Sequence, residues 1–292
     1  MKTKVLCTAF VSAFIILNSA FVVSAATTID AANKSAYAAN LGWVDWRGDT
    51  ANGAVIGDYV CAGYIYSANV GWISLGSGSP TNQIRYQNLA ANDFGVNHDG
   101  AGNLRGYAYG ANIGWVNFED SGAARVDLLT GKLSGYAYSA NCGWISLSNS
   151  VAVVQTDSFD SGPLAANGLP IPWLLQNFGA TNVFATRDQD GDGMSNLQEY
   201  LAGTDPNDAT SNLRITRQLF SPGGSSATLQ WTSAPNRVYH IERSADLTVT
   251  IWGDSALGTI APDSGGITTR AFADKEAPIR FYRIRAARPL SP

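Results

Sequence analysis

Between Asp188 and Glu199 the chain reads DQDGDGMSNLQE, with its oxygen-bearing side chains on a schedule that suits one hard divalent cation. Counted from Asp188, carboxylates fall at positions 1, 3 and 5 (Asp188, Asp190, Asp192), glycine at 6 (Gly193), Asn196 at 9 and Glu199 at 12. Ca2+ gathers about six to eight oxygens from a loop of this length. The expected ligands are the carboxylates of Asp188, Asp190 and Asp192, the backbone carbonyl of Met194, Asn196 directly or through water, and both oxygens of Glu199. Gly193 permits the sharp turn. Three carboxylates this close repel one another without a cation. The plainer alternative is a solvated acidic turn.

Two short elements must hold the loop. Upstream, Gly168-Leu169-Pro170-Ile171-Pro172-Trp173-Leu174-Leu175-Gln176-Asn177-Phe178-Gly179 predicts a helix opened by prolines and stopped by glycine. Downstream, Glu199 belongs to the start of an exit helix. This stretch resembles the calcium repeats of thrombospondin type 3 and dockerin modules and the related linkers of bacterial surface proteins. The match runs from about Gly168 to Asp208, with Gly203-Thr204-Asp205-Pro206-Asn207-Asp208 as the usual tail. The resemblance implies Ca2+ as a structural ion and leaves open whether Asp205 or Asp208 reaches a second one. Ser195 stands at position 8, where paired EF-hands carry an apolar residue, and the chain holds one complete loop. A lone structural site is therefore expected rather than a paired switch or a scaffold-docking module.

Before the loop, one phrase recurs four times: NLGWVDW from Asn40, NVGWISL from Asn69, NIGWVNF from Asn112 and NCGWISL from Asn141. The tryptophans Trp43, Trp72, Trp115 and Trp144 are spaced by 29, 43 and 29 residues, a pair of repeats itself duplicated. In the clearest copy Tyr136 and Tyr138 alternate with Ala137. Ser139-Ala140-Asn141 then makes a turn, and Trp144 and Ser146 take one face with Ile145 and Leu147 on the other. With an upstream strand at Arg125-Val126-Asp127-Leu128, each unit predicts about three short antiparallel strands. The four tryptophans are expected to stack as a ladder or close a common core. A platform of exposed Tyr and Trp for sugar rings is the functional rival.

The units resemble the Gly-Tyr-Ala-Tyr/Trp-Ser-x-Asn-x-Gly-Trp-Ile repeats of secreted and surface proteins of environmental bacteria, over Ser35–Trp46, Gly63–Leu75, Gly106–Phe118 and Gly135–Leu147. The resemblance implies location and architecture rather than an activity. The first copy lacks one aromatic, which suggests a terminal, capping unit.

Beyond Ser211, alternating stretches at Leu213–Thr216, Ala227–Trp231, Val238–Arg243 and Arg280–Arg285 are separated by Pro222-Gly223-Gly224 and Ser264-Gly265-Gly266. They predict a small β-sandwich anchored by Trp231 and Tyr282. Its pattern looks like the fibronectin type III-like domain that follows such calcium linkers. The chain is thus expected to be mainly β: a signal peptide over 1–25, a tryptophan-repeat β domain over 26–153, a connector with the calcium loop over 154–210, and the sandwich over 211–292.

Lys2 and Lys4, an apolar run through Leu17 and small residues around Ala25 read as a secretory signal rather than a membrane anchor. The whole chain carries 19 Lys and Arg against 23 Asp and Glu, and loss of Lys2 and Lys4 takes the net charge from -4 to -6. Mild acidity without a basic patch gives nucleic-acid binding no electrostatic footing. No later segment is apolar enough to span a bilayer. Export permits a disulfide between Cys61 and Cys142, with two buried thiols as the alternative.

Neither histidine sits in a catalytic motif. His240 reads as a solvent-facing strand residue, and His98, in the polar stretch Asn97-His98-Asp99-Gly100, as the better candidate ligand or base. Asp45, Asp49, Glu119 and Asp120 are the carboxylates near the repeats that acid–base chemistry would have to use. The expected function is a secreted calcium-binding structural or adhesive protein of the cell surface or extracellular matrix. Its partners are itself, through exposed strand edges that could build a filament, or a surface protein or polysaccharide. A carbohydrate-binding module is the alternative and a glycan-active enzyme a distant third.

Overall fold

The computed structural model describes residues 27–49, 51–221, 225–248, 252–274 and 280–291. The expected signal peptide lies outside the described residues. The chain forms two compact units, one running to Ala185 and taking back the residues from Pro289 on, the other spanning Thr186–Arg288. Both are built mainly of strands.

The first unit contains β1 (Ile29–Ala38) and β2 (Gly42–Asp45), then β3 (Val55–Ile56) leading into β4 (Cys61–Ser67) and β5 (Gly71–Ser77). β6 (Val96–His98) leads into β7 (Leu104–Gly110) and β8 (Gly114–Asn117). β9 (Arg125–Val126) and β10 (Leu133–Ser134) lead into β11 (Tyr136–Ser139) and β12 (Gly143–Ser146), and β13 (Val154–Thr156) follows. Each Asn-x-Gly-Trp phrase is the turn of a hairpin, and the four hairpins share one register: Tyr37 faces Trp43, Tyr66 faces Trp72, Tyr109 faces Trp115 and Tyr138 faces Trp144. Neighbouring hairpins also meet in one register, with Asp45 opposite Tyr66, Ser74 opposite Tyr109 and Asn117 opposite Tyr138. Ser146 opposite Tyr37 then joins the last hairpin to the first. Eight strands therefore close into an antiparallel barrel, a size whose interior side chains can just fill.

The filling follows the two-residue alternation. Ala36 and Val44, Ile65 and Ile73, Ala108 and Val116, Ala137 and Ile145 point inward, all essentially inaccessible. Trp46, Leu75, Phe118 and Leu147 plug one end, with Trp46 meeting Phe118 edge to face at 6.5 Å. Leu41, Val70, Ile113 and Cys142, the variable residues of the motif, pack into the same core. Cys142 is thus one of four equivalent apolar fillers, and it and Cys61 are buried free thiols.

The turn chemistry explains the motif. In each hairpin the backbone N–H of the variable residue donates to the carbonyl three residues back, as Leu41 does to Ala38 at 3.2 Å. The next residue is Gly42, Gly71, Gly114 or Gly143, with φ between +69° and +81°. A β-turn followed by a left-handed glycine has the form of a three-residue hairpin loop with a glycine bulge. The asparagines tie the hairpins into a ring. The side-chain amide of Asn69 donates to Leu41 O (3.0 Å), Asn112 to Val70 O (2.9 Å), Asn141 to Ile113 O (3.0 Å) and Asn40 back to Cys142 O (3.3 Å). Gly143→Ala is expected to cost about 1–2 kcal/mol for forcing a Cβ into left-handed backbone, and Asn141→Ala about 1 kcal/mol for the lost bond. Urea midpoints of the two variants check this.

The expected three-strand unit is present in hairpins two and three. β3 pairs with β4 and β6 with β7, adding a third strand to hairpins two and three, while β9 pairs with β10, just before hairpin four, in a separate two-stranded sheet. The first hairpin receives its third strand from the far end of the repeats, where β13 pairs with β1 (Ile29 opposite Thr156, Lys34 opposite Val154). The atypical first copy is therefore completed by the last segment.

One expectation is corrected. The repeat tryptophans do not close the core: Trp43, Trp72, Trp115 and Trp144 lie on the outer wall, between 45% and 52% exposed. The bulge glycine sets the phase, so the residue after it faces out and the next one in, and the interior is already filled by Ala, Val and Ile. Barrel closure also pairs both flanks of the eight barrel strands.

In the first unit α1 (Ile171–Phe178) forms where expected, with Pro172 near its start and left-handed Gly179 at its C-cap. The second unit begins with the acidic loop and α2 (Asn196–Ala202), followed by β14 (Ile215–Phe220), β15 (Ser226–Thr232), β16 (Val238–Ser244), β17 (Gly253–Asp254), β18 (Ile267–Ala273) and β19 (Phe281–Ala287). Sheets ordered β14-β15-β18 and β17-β16-β19 enclose Leu229, Trp231, Tyr239, Ile241, Phe272, Tyr282 and Ile284. The two expected anchors, Trp231 and Tyr282, are both in this core. Ala202 of α2 and Leu213 belong to it too, and Met194 packs against it.

Candidate functional site

The acidic loop curls around a single point. Ligand-capable oxygens of Asp188, Asp190 and Asp192 all lie within 4.8 Å of one another. Part of the carboxylate capacity is spent on shaping the loop. Asp188 accepts the N–H groups of Gly191 (2.7 Å) and Gly193 (2.9 Å), Asp190 that of Asp192 (3.2 Å) and Asp192 that of Met194 (2.7 Å). Gly193 sits at φ +98°, a conformation that a side chain would strain. The second oxygens of Asp190 and Asp192 are buried and accept no hydrogen bond.

Glu199, on α2, lies outside that trio but close enough to feel the charges of Asp192 and Asp190. Ser195 caps the helix in a reciprocal box, its hydroxyl accepting from Gln198 N–H while the Gln198 side chain accepts from Ser195 N–H at 2.7 Å. That start places Glu199 in the first turn, 1% exposed, with neither carboxylate oxygen hydrogen-bonded. A buried carboxylate without a partner is costly. Burial, reinforced by the negative charges of Asp192, Asp190 and Asp205, pushes the Glu199 carboxyl up to about 8. Burial and the charges of Asp192 and Asp188 also raise Asp190. Asn196 is buried at the head of α2, its N–H donating to Arg187 O at 2.7 Å. Met194 turns its side chain toward the sandwich core. The orphaned carboxylate oxygens fit a hard divalent cation, which is what an all-oxygen acidic donor set prefers.

The loop is anchored to its own unit. Arg237 donates to the carbonyls of Leu201 (2.9 Å) and Tyr200 and lies over the Tyr200 ring. Asp208 accepts the N–H and hydroxyl of Thr210 and Asp205 accepts Asn207 N–H, so both shape the tail of the loop.

The other candidates are structural. His98 is buried rather than in an open polar turn: Nδ1 donates to Gly57 O (2.8 Å), Nε2 accepts Gly102 N–H (3.1 Å), and the ring stacks on Phe159. Burial holds it below the usual imidazole range. His240 is half-buried in β16, 3.9 Å from Asp254. Asp45 pairs with Lys34 at 2.7 Å, Asp49 caps the turn at Ala51 and Asn52, and Glu119 accepts Gly106 N–H. A cleft of about 460 Å³ beside Tyr59, Pro80, Ile84 and Pro163 is lined by none of these carboxylates, and Asp160 is the acidic residue there. Among the described residues no helix is long and apolar enough to cross a membrane.

Of the two expectations for the repeat aromatics, the structure has the exposed one. Ten tyrosines and tryptophans of the hairpins are exposed: Tyr37, Trp43, Tyr64, Tyr66, Trp72, Tyr109, Trp115, Tyr136, Tyr138 and Trp144. The signal was present in the alternation, since Ala, Val and Ile occupy the opposite phase. No known protein family, curated protein or solved structure matches the chain.

Proposed function

We propose that this is a secreted, calcium-braced structural or adhesive protein of the cell surface or extracellular matrix. The observation that supports the brace is the Glu199 carboxylate, buried without a hydrogen bond and within reach of the charges of Asp192 and Asp190. Asp188, Asp190, Asp192, Asn196, Glu199 and the Met194 carbonyl would hold Ca2+, which supplies charge neutralisation and no reaction. Its role is to lock the loop to α2, whose Ala202 is part of the sandwich core.

Glu199→Gln keeps the shape and removes one charge and the bidentate carboxylate, so calcium affinity is expected to fall at least ~tenfold. Titration calorimetry of the two proteins checks this, and equal affinities would sink the assignment. Light scattering on the purified mature chain, in calcium and then in EDTA, tests the wider reading. Calcium-dependent assemblies support a structural subunit. A monomer in both buffers removes self-assembly and leaves adhesion by single molecules. Carbohydrate binding, the alternative, is favoured by the exposed aromatic wall.

A further inference from the structure

We propose that the outer wall of the barrel carries repeated stations for a neutral polysaccharide, each a tryptophan–tyrosine corner that takes a pyranose ring. The inference goes beyond the calcium reading and does not depend on it, because the stations lie in the first unit.

Each corner is built the same way. The Trp43, Trp72, Trp115 and Trp144 rings lie 5.4, 4.8, 4.9 and 5.0 Å from the facing tyrosine, with planes inclined by 55–70°. Two inclined ring faces can cover the apolar CH surface of a sugar and its rim at once. Hydrogen-bonding groups stand beside them. Two residues after each tryptophan, on the same outward phase, come Asp45, Ser74, Asn117 and Ser146, all half-buried. Three of these hold their own loop, accepting Arg47, Gly76 or Glu119 N–H, which fixes the polar group next to the ring before any ligand arrives.

Cross-strand aromatic pairs stabilise hairpins, but stability alone does not call for half-exposed indoles in all four turns. Soluble surfaces keep such apolar patches small unless they bind something. The repetition narrows the ligand. Identical corners in one register suit a ligand that is itself repetitive, and they point outward all round a closed barrel, where no single flat protein partner meets them together. Charge narrows it further. The one carboxylate among the four polar positions, Asp45, is neutralised by Lys34. Stacking of nucleic-acid bases would need a cationic groove, and the chain is net acidic.

The stations are not equal. Trp72, Trp115 and Trp144 each have a second tyrosine edge-on, Tyr64 at 6.3 Å, Tyr107 at 6.2 Å and Tyr136 at 6.1 Å, of which Tyr64 and Tyr136 are exposed and Tyr107 half-buried. Trp115 is partly covered by Phe94 at 5.2 Å, and the first copy has Ser35 in place of the second tyrosine. Trp72 and Trp144 are therefore the main stations.

The test uses the full mature chain in calcium buffer, titrated with cellohexaose and with hexa-N-acetylchitohexaose, whose equatorial rings present flat CH faces. Intrinsic fluorescence and calorimetry give the readout. Saturable binding to either probe is expected, with affinity reduced at least tenfold in Trp72→Ala/Trp144→Ala and unchanged in Trp46→Phe, whose ring is interior. Circular dichroism confirms that the variants are folded. The single changes Trp72→Tyr and Trp144→Tyr, which keep an aromatic ring, should retain part of the affinity. Lack of binding to both probes by the folded protein overturns the proposal, as does binding that the double substitution leaves intact. Loss of self-association in the double variant, without sugar binding, would instead assign the wall to a second copy of the chain. A failure of the calcium site appears separately, in the calorimetric calcium titration.

Discussion

Trp46→Ala is expected to destabilise the barrel by about 3–5 kcal/mol, whereas Trp43→Ala, three residues earlier, costs about 1 kcal/mol. Trp46 is 1% exposed and fills one end of the barrel against Phe118. Its removal leaves a cavity among Leu75, Phe118 and Leu147 that a closed barrel cannot easily collapse. Trp43 loses only a half-exposed edge-to-face contact with Tyr37. Trp46→Phe should be far milder: phenylalanine already serves at the equivalent position 118, and the change removes an indole N–H that is buried without an acceptor. Chemical denaturation of the three variants measures the difference. Equal losses at Trp43 and Trp46 would mean that the repeat tryptophans are interior after all. A loss of several kcal/mol is a large share of the roughly 5–15 kcal/mol that holds a domain together, so Trp46→Ala is expected to lower the yield of folded protein too.

Withdrawing calcium is expected to make the stability of the second unit fall as pH rises from about 4.5 to 8. The sign follows from Glu199. Its carboxyl ionises near 4.5 in the unfolded chain and about 8 in the folded, ion-free loop. A raised carboxyl stabilises the folded state below the unfolded value, and that contribution is lost as pH climbs through the folded one. The ceiling is roughly 5 kcal/mol. With calcium bound the carboxylate is held ionised by the cation and the slope should vanish. The same linkage makes binding expel a proton, so affinity is expected to weaken about tenfold per pH unit below 8. Melting curves in EDTA and in calcium at pH 5 and pH 8, with calorimetry in buffers of different ionisation enthalpy, read both effects. Superimposable pH dependence in the two conditions would remove Glu199 from the site.

Much of this chain could be read without coordinates, for physical reasons. The acidic loop is local: its residues lie within one stretch of twelve, and Gly193 and the Ser195–Gln198 capping box are fixed by their own backbone angles, so spacing alone brought Asp188, Asp190 and Asp192 together. Proline at the start and glycine at the end of α1 act within one turn of helix. Hairpins are nearly as local, and Asn-x-Gly-Trp with its Tyr-Ala-Tyr partner defines turn, register and alternation together.

Tertiary structure decided what lies beyond the reach of one hairpin. Period-two alternation separates residues into two faces and does not say which face is inside. Indole is apolar enough to suggest the core, yet eight strands close around a bore that Ala36, Val44, Ile73 and Ile145 already fill, so the larger rings go outside. Closure itself depends on Ser146 meeting Tyr37, a pairing across 109 residues that no local pattern encodes. The ring of asparagine amides likewise crosses between hairpins, from Asn40 to Cys142. Sequence alone determined the hairpins and the acidic loop; the closing of the sheet decided which face of each hairpin water, and any ligand, can reach.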